Sequence, residues 1–111
     1  MTKMNDAFQE SDWKRFRALV PELRERYLVE RNSELLDILN NGKLTPTECF
    51  WEAKDRMDET ARVLESCLNG HTRSKMVFFM QVMFRNGMLL EGDLGGFSEE
   101  VRNRVLVMKE I

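Results

Sequence analysis

Apolar residues recur along this chain at spacings of three and four, and every glycine falls between the periodic stretches rather than inside one. Spacing of that kind places side chains on one side of a helix, and glycine is the residue that punctuates helices. The first stripe is Trp13, Phe16, Val20, Leu23 and Tyr27. Ser11 or Asp12 supplies a suitable N-cap for it. Pro21 removes one backbone donor and disfavours helical geometry at Val20, so the pattern predicts a helix over 12–19 and a kink or fresh start at 21. Beyond Tyr27 the stripe moves round to Leu28, Leu35 and Leu39, with Leu36 and Ile38 beside it. The shift implies either a second helix capped near Asn32 and Ser33 or, preferably, one long helix over 21–40 that touches two neighbours.

The next start signal is the strongest in the chain. Thr45, Pro46, Thr47 and Glu48 have the form of a capping box with proline at the first helical position. Cys49, Phe50, Ala53, Met57, Ala61, Leu64, Cys67 and Leu68 then cover roughly 120° of a helix surface. Asn69 and Gly70 predict a left-handed stop. Thr72 can cap a further helix over 73–86 that Gly87 closes. Its centre, residues 76–84, is apolar on almost every side, with Gln81 and Arg85 on the one polar edge, as expected of a helix buried on most sides. Ser98, followed by Glu99 and Glu100, opens a last helix with Val101, Val105 and Met108 inward, its acids matched to the helix dipole. The expectation is an all-α fold: a compact bundle of four to five helices (about 12–19, 21–40, 46–68, 73–86 and 99–110) with the central helix largely buried. One helical domain over 11–111 follows a flexible N-terminus of residues 1–10.

Composition narrows the function classes. The 111 residues are 42% hydrophobic and 32% charged, a globular balance, and the formal net charge of −2 gives no general attraction to nucleic acid or anionic membrane. The apolar run at 76–84 is far shorter than the ~20 residues of a membrane span, and residues 1–11 are too polar for a signal peptide. The expected location is cytoplasmic. Cys49 and Cys67 fall on one predicted helix ~27 Å apart, beyond disulfide reach, so both are expected as small buried hydrophobes.

Catalytic patterns are sparse. His71 is the one histidine, no HExxH, CxxC or Glu-x-x-His spacing occurs, and no metal or cofactor is expected. The acids Glu52, Asp55, Asp58 and Glu59 alternate with Lys54, Arg56 and Arg62 as on a solvated helix face. Gly92, Asp93, Leu94, Gly95 and Gly96 resemble a phosphate loop only superficially, because Asp93 would repel an anion and no lysine follows. One segment breaks a local rule: His71, Arg73 and Lys75, with Thr72 and Ser74, crowd cations onto a helix N-terminus, where they oppose the dipole. They call for a carboxylate from within the domain, an acidic protein partner, or a phosphate. Trp51 sits just beyond the apolar arc of its helix, to pack with Trp13 or to anchor an interface. Met76, Met80, Met83 and Met88 fill either a core or an adaptable binding face.

The sequence therefore points to a small non-enzymatic protein-interaction or regulatory module that binds a partner or itself, with Trp51, Met80, Met83 and Met88 as interface candidates. The alternatives are nucleic-acid or phosphate binding through His71, Arg73, Ser74 and Lys75, and a small-ligand site or enzyme with His71 and Arg73 in a pocket.

Overall fold

A computed structural model describes residues 9–110 and arranges them as four α-helices, with no strand among the described residues. They are α1 (Glu10–Leu39), α2 (Pro46–Leu68), α3 (Met76–Arg85) and α4 (Glu99–Leu106). Three 3-10 turns accompany them, at Arg73–Lys75, Glu91–Gly96 and Val107–Glu110. The fold is all-α, as the periodicity predicts. Apart from Gln9 and Glu10, the N-terminal segment expected to be flexible lies outside the described residues.

The expected break at Pro21 does not occur, and α1 runs through it as one helix. Phe16 and Leu19 before the proline and Leu23 and Tyr27 after it are all buried on one line. Burying four such side chains contributes roughly 1.5–3 kcal/mol each, which outweighs the ~3 kcal/mol that an internal proline costs. Pro21 itself is exposed, where water can meet the carbonyl it leaves unpaired. The helix also starts earlier than the Ser11 or Asp12 cap predicted. Gln9 is the N-cap, and its backbone N–H donates to Asp12 Oδ2 at 2.8 Å.

The capping box of α2 forms as read. Thr45 N–H donates to Glu48 Oε1 at 2.8 Å and Glu48 N–H returns to Thr45 Oγ1 at 3.1 Å. Gly70 and Gly87 are the described residues with positive φ, at 87° and 78°, and each ends a helical stretch where an L side chain would be strained. The predicted helix over 73–86 opens with a 3-10 turn, Thr72 Oγ1 accepting from Lys75 N–H at 3.3 Å, before α3 proper begins. The last predicted helix similarly tightens to 3-10 geometry after Leu106.

Met76, Val77, Phe79, Met80 and Met83 of α3 are buried among Phe16 and Leu23 of α1, Cys67 of α2, and Val101 and Val105 of α4. Phe78 alone of that apolar run faces outward, 57% exposed. This packing gathers at one end of the molecule. Beyond Tyr27 on α1 and before about residue 60 on α2 the two helices continue as a lone antiparallel hairpin. The result measures 63 × 25 × 24 Å, with a radius of gyration of 17.2 Å against about 13 Å for a globular chain of this length. No described helix is long and apolar enough to cross a membrane.

Candidate functional site

The basic turn at 71–75 meets partners from within the chain. Arg73 lays its guanidinium fork on Glu10, Nε to Oε1 at 3.0 Å and NH2 to Oε2 at 2.9 Å, and sits 5.6 Å from the centre of the Trp13 ring. The hydrogen bond from Arg73 holds the Glu10 carboxyl below its ordinary pKa. His71 Nε2–H donates to the Cys67 carbonyl at 2.7 Å, and its ring stands edge-on between Phe16 and Phe79 at 5.0 and 4.7 Å. The imidazole thus closes the C-terminus of α2 and fills a space between aromatic rings. Ser74 Oγ lies 3.4 Å from Thr72 Oγ1, and Ser74 and Lys75 are both exposed. Arg73 and His71 therefore do not converge on a common cleft: one reaches toward the start of α1 and the other into the packing beneath.

The methionine candidates lie inside. Met80, Met83 and Met88 are wholly buried and present no surface in this state. Trp51 has the opposite fate. It does not pack with Trp13, which is buried at the other end of the molecule, because α1 runs unbroken and carries Trp13 away from the hairpin tip. Instead Trp51 is 54% exposed and stacks edge-on against Phe50, ring centres 4.9 Å apart.

Trp51 belongs to a larger surface that single-residue reasoning missed. Of the exposed large apolar side chains, Val29, Leu36, Leu39, Phe50, Trp51 and Met57 all lie on the hairpin. Tyr27, Arg31 and Ile38 of α1 face Ala53, Arg56 and Thr60 of α2, the line along which exposure falls. At about 100° per residue, Leu28, Leu35 and Leu39 stand about 70–110° round α1 from that line. Phe50, Met57 and Ala61 stand about 80–120° round α2 in the same rotational sense. For antiparallel helices the same sense means the same side of the pair. The hairpin therefore has one apolar face, while Val29, Leu36 and Trp51 stand roughly 170–190° round from the seam and point outward from the pair. Glu30, Asp37, Glu52 and Glu59 lie on the opposite side. At the tip the apolar face runs into an open groove of about 610 Å³ lined by Leu39, Leu44, Cys49 and Phe50 among others.

Between the two hairpin helices is a polar layer. Glu34 accepts from Arg31 at 3.0 Å and from Arg56 of α2 at 3.2 Å, while the Arg31 guanidinium lies 5.0 Å from the Tyr27 ring centre. Arg31 Nε is buried without a hydrogen-bond partner, beside a polar recess of about 280 Å³. A polar layer in an otherwise apolar seam fixes helix register rather than adding stability.

Asp12, read from the sequence only as a candidate N-cap, has a larger role. It is 2% exposed, and it accepts from Ser98 N–H at 2.7 Å and Ser98 Oγ at 2.8 Å as well as from Gln9. It ties the start of α1 to the start of α4. The glycine loop is likewise closed from within: Arg26 donates twice to Asp93, at 3.0 and 2.7 Å, and once to the Met88 carbonyl. Among the described residues no three His, Cys, Asp or Glu side chains gather as a metal site. Neither a family model, a curated protein nor a solved structure matches this chain.

Proposed function

We propose that this protein is a non-enzymatic interaction module whose working surface is the apolar face of the α1–α2 hairpin, with Phe50 and Trp51 as aromatic anchors. The single observation behind it is the concentration of exposed apolar side chains on a hairpin that no other described part of the chain covers, Leu39, Phe50 and Met57 among them on one side. A contiguous apolar face with a charged opposite side is characteristic of a protein contact surface. Aromatic residues such as Phe50 and its neighbour Trp51 are the type that dominates binding energy.

The basic turn supports the phosphate and small-ligand alternatives less well, because its one guanidinium fork is engaged by Glu10 and its imidazole by the Cys67 carbonyl. A direct comparison tests the assignment. Cross-linking in native extracts, read for wild type, Phe50→Ala/Trp51→Ala and Arg73→Ala, is expected to lose its adducts only in the aromatic double variant. Adducts that survive that variant and vanish with Arg73→Ala would transfer the function to the turn.

A further inference from the structure

We draw no further inference here: the strongest candidate, the polar recess of about 280 Å³ between α1 and α2 beside the buried Arg31 Nε, carries nothing, because its cations Arg31 and Arg56 are already paired with Glu34 and Glu59 and nothing in the structure points to a ligand.

Discussion

Asp12 is the clearest case of a side chain whose role comes from its surroundings. Its two oxygens accept three hydrogen bonds, from Gln9 N–H, Ser98 N–H and Ser98 Oγ–H, in a position closed to water. Removing a shared acceptor strands buried donors, each costing ~1–3 kcal/mol. Asp12→Ala is accordingly expected to lower unfolding stability by about 2–4 kcal/mol in a urea titration, and a change under about 1 kcal/mol would show that the tie is replaced by water. Arg73→Ala, although it breaks two short hydrogen bonds, is expected to leave the same titration nearly unchanged, since both partners are more than half exposed and water screens the pair. Asp93 adds a pH signature. The hydrogen bond from Arg26 holds its carboxyl below the ordinary carboxylate range, despite partial burial that pushes the other way. The lowered pKa gives stability that is fully present above the unfolded value near 4 and lost as pH falls through the folded value. Asp93→Asn is expected to flatten the loss of stability on acidification below about pH 4 relative to wild type, read by urea titration at a series of pH values. Cys67 has the opposite sign: burial pushes its thiol up to about 11, so native protein resists alkylation there at neutral pH and loses stability as pH rises from about 9 toward 11.

At the scale of elements, the local signals and the long-range ones differ in how they are written. The capping box at Thr45 and Glu48 was legible because both partners lie within one turn, and Thr45→Ala is expected to cost about 1 kcal/mol by thermal melting. Gly70 and Gly87 were legible as stops for the same reason. Asp12 was not: its partner Ser98 is 86 positions away, and each residue alone resembles an ordinary helix cap. The cations at 71–75 were rightly conspicuous, but Glu10, 63 positions from Arg73, carries no mark that identifies it as the answer. The continuity of α1 through Pro21 escaped for a different reason, since the local rule against internal proline is real and is overruled by burial on both sides. The shift of the apolar stripe beyond Tyr27 proves the most informative signal. It called for a long helix with two neighbours, and α2 is one of them.

The whole molecule divides unevenly between a packed end and a projecting pair of helices. Such a hairpin, with its partner face open, has little tertiary burial to hold it, and isolated helical pairs are marginal in water. Amides over 28–40 and 46–60 are expected to exchange with solvent well before those of α3, and uniform protection would contradict that division. Small-angle scattering of the single chain is expected to give a radius of gyration near 17.2 Å rather than the ~13 Å of a collapsed chain.

The two tryptophans fall on opposite sides of that division, Trp13 enclosed among the rings and cations of the packed end and Trp51 in the open beside Phe50. The unbroken α1 holds them on the order of 30 Å apart. They form a natural pair of optical reporters, each reading a different event. With Trp13→Phe, quenching by acrylamide follows only what happens at the hairpin tip; with Trp51→Phe, emission follows only the melting of the enclosed end. Events at the hairpin tip and unfolding of the packed end can thus be watched separately in the same chain without attaching a dye.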